Sequence, residues 1–271
     1  MMNSSQNIFK MILLILVILF VAPLAVYAKV ADCNVVITGE AETVSFLTKT
    51  MEGQNVPVDG VLMKPDGQGP FPGMVILHGH GGVFPPRCYG GALRLFVELG
   101  YVALVIDSTG AQRPSRWMGE YTSEDQAQDA HKGRAFLATL PYVMPNKIGV
   151  IGWSLGGAAV MDAVSSNKMT FIMEKEAPFQ AAVTIYPICY KKIKDLEAPL
   201  LIFIGEADVR ASAAACRNMA VTKKGDVEYQ LIVYPGVAHG YDAQWLSYYD
   251  EASTQDTYDR LKKFFAKYLQ R

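Results

Sequence analysis

Short apolar runs alternate with longer amphipathic stretches along most of the chain. A bounded apolar run of four to eight residues is typical of a buried strand, and apolar residues three or four positions apart are typical of a helix. The pattern predicts strands at residues 44–50, 56–63, 74–77, 101–106, 147–151, 181–186, 199–204 and 229–234. Helical patterns cover residues 89–99, 123–140, 155–166, 211–221 and 245–269.

This alternation predicts an α/β fold, with a mainly parallel central sheet and helices on both of its faces. The first two strands are expected to form an antiparallel pair that opens the sheet. No repeat, low-complexity tract or linker-like stretch of Pro, Gly and Ser interrupts the series. We therefore expect one domain over residues 29–271.

The first 28 residues have the order of a secretory signal peptide. A single positive charge, Lys10, precedes twelve apolar residues at positions 11–22, and Pro23 and a small-residue end at Ala28 follow. The sequence therefore predicts cleavage after Ala28 and export to the periplasm or the medium. An uncleaved membrane anchor is the alternative, because the apolar stretch approaches the ~20 residues that a membrane span needs.

The overall composition is that of a globular protein with a large core, at 51% hydrophobic and 19% charged residues. Lys and Arg number 25 and Asp and Glu number 26, so no basic excess is available to neutralise a phosphate backbone. The charge balance argues against a nucleic-acid partner.

The chain has four cysteines, and an even number suits an oxidising compartment, where thiols can pair. Cys189 follows a predicted buried strand and Cys216 lies in the helix after the next strand, so a disulfide between these two is expected. Cys33 and Cys88 would then be the remaining pair, and four free thiols are the alternative. No Cys/His spacing typical of zinc is present.

A G-x-S-x-G motif lies at the junction of a predicted strand and a predicted helix. The strand at residues 147–151 leads directly into Gly152, Ser154 and Gly156, and the helix follows. This is the context of a nucleophile elbow, in which a serine sits on a sharp turn and the flanking glycines let strand and helix approach closely. Ser154 is therefore the candidate nucleophile.

A serine nucleophile needs a base and an acid that orients the base, and in this arrangement the chain order is Ser, Asp or Glu, then His. Asp208 and His239 follow the predicted strands at residues 199–204 and 229–234, so both fall at the carboxyl edge of the sheet, where α/β folds build their sites. Glu206 and Asp242 are the competing acids. His131 lies inside a helical pattern and is expected on the surface.

Acyl transfer also requires two hydrogen-bond donors for the developing oxyanion. One is expected to be the backbone N–H of Leu155, which follows the nucleophile, and the second that of His80, in the glycine-rich loop after the third strand. The alternative for this loop is half of a metal site made by His78 and His80, but the loop has no third ligand. We expect no metal.

With these motifs, the chain resembles the dienelactone hydrolase family of α/β-hydrolases. The resemblance extends over residues 56–269 and rests on the segments HGHGG, YVALVIDS, GWSLGGAA, IYP, IFIGEADVR and YPGVAHGYD, which occur in the family's order. It implies an α/β-hydrolase fold, Ser154, Asp208 and His239 as a catalytic triad, and Leu155 and His80 at the oxyanion hole.

The chain departs from the family's pattern at three positions. The family's dienelactone hydrolases have a cysteine nucleophile, a partner glutamate and an arginine that holds the lactone carboxylate. Here those positions are occupied by Ser154, Gly79 and Ala243. A different substrate is therefore expected. Candidates for holding a substrate are Arg113, Arg116 and Arg210, with Trp117 in the predicted pocket wall, and solvated surface side chains are the alternative for the arginines.

Together the motifs predict an exported serine hydrolase that cleaves a small-molecule ester or lactone through an acyl-enzyme and needs no cofactor. A peptidase, an amidase or a thioesterase with the same triad is the alternative among enzymes. A binding module without catalysis is the alternative outside them, because a fold does not fix a function.

Overall fold

The computed structural model describes residues 41–49, 55–83, 87–109, 121–166, 177–190 and 192–270. The predicted signal peptide at residues 1–28, Cys33, Arg113, Arg116 and Trp117 lie outside the described residues, as does the side chain of Cys88.

Ten strands are present among the described residues. They are β1 (Glu42–Lys49), β2 (Asn55–Met63), β3 (Phe71–Leu77), β4 (Val102–Asp107), β5 (Val143–Trp153), β6 (Ala181–Ile185), β7 (Lys192–Leu196), β8 (Leu200–Gly205), β9 (Ala220–Lys223) and β10 (Tyr229–Tyr234). Eight form one sheet in the order β1-β2-β4-β3-β5-β6-β8-β10. β2 is antiparallel to both β1 and β4, and the other neighbours are parallel. The predicted antiparallel opening pair is thus present.

Five helices accompany these strands in the described chain. They are α1 (Arg87–Glu98), α2 (Ser123–Thr139), α3 (Leu155–Ala163), α4 (Ala213–Asn218) and α5 (Glu251–Leu269). No described helix combines the length and the apolar character that crossing a bilayer requires.

Helices cover both faces of the sheet, as the sequence predicts. Successive residues of a strand point to opposite faces, and in β3 the side chains of Val75 and Leu77 pack in a core with α2 and α3. Met74 and Ile76 pack in a second core with α1 and α5. The central strands are buried on both sides, which is why they read as continuous apolar runs.

Two helical predictions are corrected by the structure. The last helix begins at Glu251 rather than at residue 245, because the Asp250 side chain accepts the backbone N–H of Ser253 as an N-cap. The predicted helix at residues 211–221 ends at Asn218, and residues 220–223 form β9. β9 pairs in parallel with β7, and this small second sheet is absent from the sequence-based prediction.

The carboxyl ends of β5, β6, β8 and β10 lie side by side at one edge of the large sheet. Chain segments that are far apart in sequence therefore meet at this edge. Ser154 follows β5, Tyr186 follows β6, and the loops after β8 and β10 carry Asp208 and His239.

Candidate active site

Ser154 occupies a sharp turn between β5 and α3. Its φ of 53° and ψ of −113° lie outside the regions that L-residues favour, which is the strained geometry of a nucleophile elbow. Its backbone N–H donates to the carbonyl of Ile185 at 3.0 Å. A Cβ at Gly152 would lie 2.2 Å from the Gly156 carbonyl oxygen, and one at Gly156 would lie 2.5 Å from that of His78. Glycine at both positions is therefore required by space.

The structure brings the side chains of Ser154, His239 and Asp208 together. His239 Nε2 lies 3.1 Å from Ser154 Oγ, and His239 Nδ1 lies 2.6 Å from Asp208 Oδ2. A carboxylate oxygen only accepts, so Nδ1 carries the proton and Nε2 of the neutral ring is left to accept from the serine hydroxyl. The three groups thus form a continuous hydrogen-bonded chain.

Asp208 is held in place by the backbone of its own loop. Its Oδ1 accepts the backbone N–H groups of Arg210 at 2.8 Å and Ala211 at 2.7 Å. These bonds fix the carboxylate while Oδ2 faces the histidine, and the Asp208 side chain is fully buried. The Asp208 carboxylate is therefore oriented by its own loop.

The two competing acids lie elsewhere. Glu206 is exposed and forms an ion pair with Arg217 at 2.8 Å. Asp242 is buried and accepts hydrogen bonds from Trp153, Tyr186 and Tyr258. Of the three candidate acids, Asp208 is the one that bonds to His239.

The loop that carries His80 is fixed by bonds to its backbone. The backbone N–H of Ser108 donates to Nε2 of the buried His78 at 3.1 Å, so the proton lies on Nδ1, which donates to the Gly79 carbonyl at 2.7 Å. Burial lowers the pKa of His78, which keeps this neutral form. Both ring nitrogens of His78 therefore form hydrogen bonds with backbone groups. Among the described residues, no group of three His, Cys, Asp or Glu side chains is placed to hold a metal ion.

Two tyrosines complete the support of this loop. The backbone N–H of Gly79 donates to the Tyr89 hydroxyl at 2.7 Å, and the Tyr121 hydroxyl donates to the His80 carbonyl at 2.6 Å. A Cβ at Gly79 would lie 3.5 Å from Ser154 Cβ, so the loop passes directly beside Ser154. Leu155 begins α3, where the first backbone N–H groups have no acceptor within the helix.

The prediction that His131 lies on the surface is wrong. The side chain is buried, and its Nε2 lies 3.0 Å from the carbonyl oxygen of Ala163 at the end of α3. Its ring also contacts Phe179 at a centroid distance of 5.2 Å. α2 carries several buried polar residues because it packs against α3 and the sheet, so a polar residue on this helix does not mark its solvent face.

A pocket of about 410 Å³ opens beside Ser154 and His239. Ala243 and the exposed Arg210 lie on its wall, as do Gly79, His80 and Gly81. Its aromatic lining consists of Tyr89, Trp153, Tyr186, Trp245, Tyr248 and Tyr258. An apolar pocket of this size with a few polar groups is typical of a small-molecule site.

Asp242 is a pocket residue whose role the sequence does not reveal. Its Oδ2 accepts Trp153 Nε1–H at 2.7 Å and the Tyr258 hydroxyl at 3.2 Å, and its Oδ1 accepts the Tyr186 hydroxyl at 2.7 Å. Burial raises the pKa of Asp242 and of both tyrosines. Only the adjacency to His239 in the HGYD segment hints at a place in the site.

A disulfide links Cys189, after β6, to Cys216 in α4, as the sequence predicts. Cys216 is buried and packs in a small core with Ile204 and Ala211. Because the Ala211 N–H donates to Asp208, the bridge secures the segment that orients this carboxylate.

The strand order and the elbow at the carboxyl edge define an α/β-hydrolase fold. The family model of the dienelactone hydrolase family matches residues 58–269, and the chain belongs to this family. It is therefore a hydrolase that acts on ester bonds.

Individual relatives are distant. A Synechocystis sp. protein whose name gives it as a provisional carboxymethylenebutenolidase is 24% identical over 240 residues, which cover 80% of this chain and 94% of that protein. Protein usf of Aquifex pyrophilus is 28% identical over 137 residues, which cover 49% of this chain and 57% of that protein.

Among solved structures, a dienelactone hydrolase-like promiscuous phosphotriesterase from metagenomic libraries superposes with a TM-score of 0.64. The identity is 17%, over 85% of this chain and 99% of that one. At this identity the similarity concerns the fold.

Proposed function

We propose that the protein is a serine esterase in which Ser154 is the nucleophile, His239 the general base and Asp208 the residue that orients the base. The observation that carries the proposal is the chain of hydrogen bonds from Ser154 Oγ to His239 Nε2, at 3.1 Å, and from His239 Nδ1 to Asp208 Oδ2, at 2.6 Å. Family membership supplies the class of bond that is cleaved.

In the proposed reaction, Ser154 Oγ attacks the ester carbonyl carbon while His239 Nε2 takes the hydroxyl proton. The tetrahedral intermediate collapses as the imidazolium returns this proton to the leaving alcohol, and the acyl group stays on Ser154. Water, deprotonated by the same nitrogen, then attacks the acyl carbon and releases the acid. Asp208 holds the imidazole and stabilises its charged form throughout.

The backbone N–H groups of Leu155 and His80 are proposed as the donors to the oxyanion. Leu155 offers an N–H at the start of α3, where it has no acceptor within the helix. The loop of His80 passes beside the nucleophile and is fixed by His78, Tyr89 and Tyr121. Donors held in advance of the reaction stabilise the developing charge at little cost in reorganisation.

The pocket favours a compact ester with an aromatic or other flat apolar group. Its volume of about 410 Å³ is at the small end of ligand pockets, and six aromatic side chains line it. Ala243 contributes no charge. Among the described residues that line the pocket, Arg210 is the cationic side chain that could bind a carboxylate on the substrate.

The test is hydrolysis of a short-chain chromogenic ester by the wild type and by Ser154→Ala, with labelling by a fluorophosphonate probe in parallel. We expect the variant to lose at least ~10⁴-fold in kcat and all labelling, because no other group supplies the nucleophile. Ser45→Ala, which changes an exposed serine on β1, is the control and should retain both signals. A folded wild type with neither turnover nor labelling would refute the proposal.

We also propose that the protein is exported and cleaved after Ala28. The Cys189–Cys216 bridge supports an oxidising compartment, because disulfides persist there and are rare in the cytosol. Intact-mass measurement of the protein purified from its native source is the test. A mass that begins at Lys29 is expected, and a mass that includes the first 28 residues would favour the membrane anchor.

A further inference from the structure

A buried acid lies three positions after the proposed base. Asp242 is 4% exposed, and its three side-chain partners, Trp153, Tyr186 and Tyr258, are all neutral hydrogen-bond donors. Burying a carboxyl group costs free energy. The convergence of three aromatic donors on Asp242, from β5, the end of β6 and α5, therefore indicates a role beyond packing.

Tyr186 connects this acid to the proposed base. Its hydroxyl donates to Asp242 Oδ1 at 2.7 Å, and its ring lies against the His239 imidazole at a centroid distance of 4.6 Å. Its φ of 40° places a bulky residue in the left-handed region, a conformation that persists only where the surroundings enforce it. The backbone of Tyr186 is strained where its ring meets the histidine.

We infer that Asp242 and Tyr186 are positioning residues: Asp242 accepts the Tyr186 hydroxyl, and the Tyr186 ring in contact with His239 stabilises its imidazolium, while Asp208 stabilises it at Nδ1. This inference rests on the proposed function, because it assigns Asp242 and Tyr186 to the base of that reaction.

The physical basis is the electron distribution of the tyrosine ring. A phenol that donates to a carboxylate gains electron density in its ring, and the face of an electron-rich ring attracts a cation. Within the proposed catalytic cycle, His239 becomes a cation when it takes the serine proton. The electron-rich ring of Tyr186 in contact with His239 therefore stabilises the transition state more than the resting enzyme, which is the requirement for a contribution to kcat.

Other titratable groups also surround His239. Asp208 faces Nδ1 and Ser154 faces Nε2. The wall of the same pocket carries further titratable groups, which are His80, Tyr89, Arg210, Asp242, Tyr248 and Tyr258. Tyr186→Phe removes none of these side chains and keeps the ring, so it tests the hydrogen bond from the Tyr186 hydroxyl to Asp242.

Tyr186→Phe and Tyr258→Phe form a matched pair. Each removes one hydroxyl from the same carboxylate, but in the described structure Tyr186 is the one of the two whose ring contacts the imidazole, at an interplanar angle of 55°. For Tyr186→Phe we expect kcat/KM to fall by about 3- to 30-fold, with the loss in kcat rather than in KM. The acidic limb of the pH–rate profile should move to lower pH, because the protonated and inactive imidazole has lost support.

Tyr258→Phe should leave the acidic limb where it is in the wild type. Asp242→Asn should move it in the same direction as Tyr186→Phe, and the double variant should show much less than the sum of the two losses, because both act on one interaction. A limb that stays in place in Tyr186→Phe while KM rises would overturn the inference and leave Tyr186 as a wall of the pocket.

Fluorinated tyrosine at position 186 covers the case in which Tyr186→Phe fails to fold. Singly and doubly fluorinated rings keep the shape and the hydroxyl but withdraw electron density, so kcat should fall stepwise with each fluorine. An unchanged kcat across the series would overturn the inference. Wild-type turnover and fluorophosphonate labelling are measured first, because their absence would refute the proposed function itself.

Discussion

The carboxylate of Asp208 uses its two oxygens for different partners. Oδ1 accepts the backbone N–H groups of Arg210 and Ala211, and Oδ2 faces Nδ1 of His239. An asparagine at this position would keep its oxygen on the two backbone donors. Its NH₂ group would then face the histidine.

We therefore expect Asp208→Asn to lower kcat by about 10⁴-fold with little loss of stability. The amide nitrogen donates to Nδ1, so the imidazole holds its proton on Nε2 and cannot accept from Ser154. Steady-state kinetics and a thermal melt measure the two effects. A variant that keeps more than a tenth of the wild-type kcat would contradict the assigned role, and Glu206→Gln, on the exposed neighbour, is the control that should retain kcat.

At the residue scale, the sequence predicts residues that lie in local motifs better than it predicts contacts between distant segments. Ser154, Asp208 and His239 are marked by glycine-rich motifs at strand ends, and those motifs can be read within a few residues. The role of Asp242 depends on Trp153 and Tyr258, which are distant in sequence and meet it only through the fold. The same reason explains why His131 looks exposed in the sequence and is buried in the structure.

At the element scale, the approach of α3 to the strand edge decides whether the elbow forms. Gly156 lies in the first turn of α3, and a Cβ there would come within 2.5 Å of the His78 carbonyl oxygen and 2.6 Å of that of Leu77. Both contacts are with backbone, which cannot move aside as a side chain could.

Gly156→Ala should destabilise the fold by about 1–3 kcal/mol and remove activity. Alanine is otherwise favoured over glycine in a helix by about 1 kcal/mol, so a loss of stability isolates the steric clash. Urea unfolding gives the free energy. Gly81→Ala is the matched control, because a Cβ there meets nothing within 4 Å, and its free energy of unfolding should lie within about 0.5 kcal/mol of the wild type. Equal stability of both variants would contradict this account.

Elements with strong apolar runs are predictable from the sequence, and the ones missed lack such runs. The eight strands of the large sheet are all anticipated. Burial on both faces gives central strands such as β3 and β8 continuous apolar residues, whereas the edge strand β1 is largely exposed. β7 reads Lys-Ile-Lys-Asp-Leu and β9 is largely exposed, so neither has a pattern that stands out from a loop. The prediction places the start of α5 too early because Trp245 and Leu246 continue the apolar pattern, whereas in the structure these two side chains line the pocket.

At the scale of the whole molecule, the edge strand β10 is fastened to α5 by a charged cluster. Glu228, just before β10, accepts hydrogen bonds from Lys267 and Tyr268 near the end of α5. Hydrogen bonds to Glu228, chiefly from Lys267 and secondly from Tyr268, lower the pKa of this carboxyl group to about 2. A lowered carboxyl pKa stabilises the folded state above the unfolded value of about 4.3, and this contribution is lost as the pH falls toward 2.

Glu228→Gln should lower the free energy of unfolding at pH 7 by up to about 1 kcal/mol, because the cluster is partly exposed and screened by solvent. The difference from the wild type should shrink as the pH falls from 4.5 to about 2. Urea unfolding across this range measures it. A difference that is the same at every pH would contradict the charged mechanism, and Glu197→Gln, in an exposed pair with Lys224, should have less effect.

The proposed base lies after the last strand of the sheet, while the proposed nucleophile, Ser154, lies near its middle. A chain synthesised from its N-terminus acquires Ser154 well before His239, and β10 must pair with β8 before the imidazole reaches the serine. A nascent or truncated chain therefore carries an inactive serine. In the proposed mechanism, ester hydrolysis begins only once β10 has docked, so turnover in a cell-free translation reaction would report that moment.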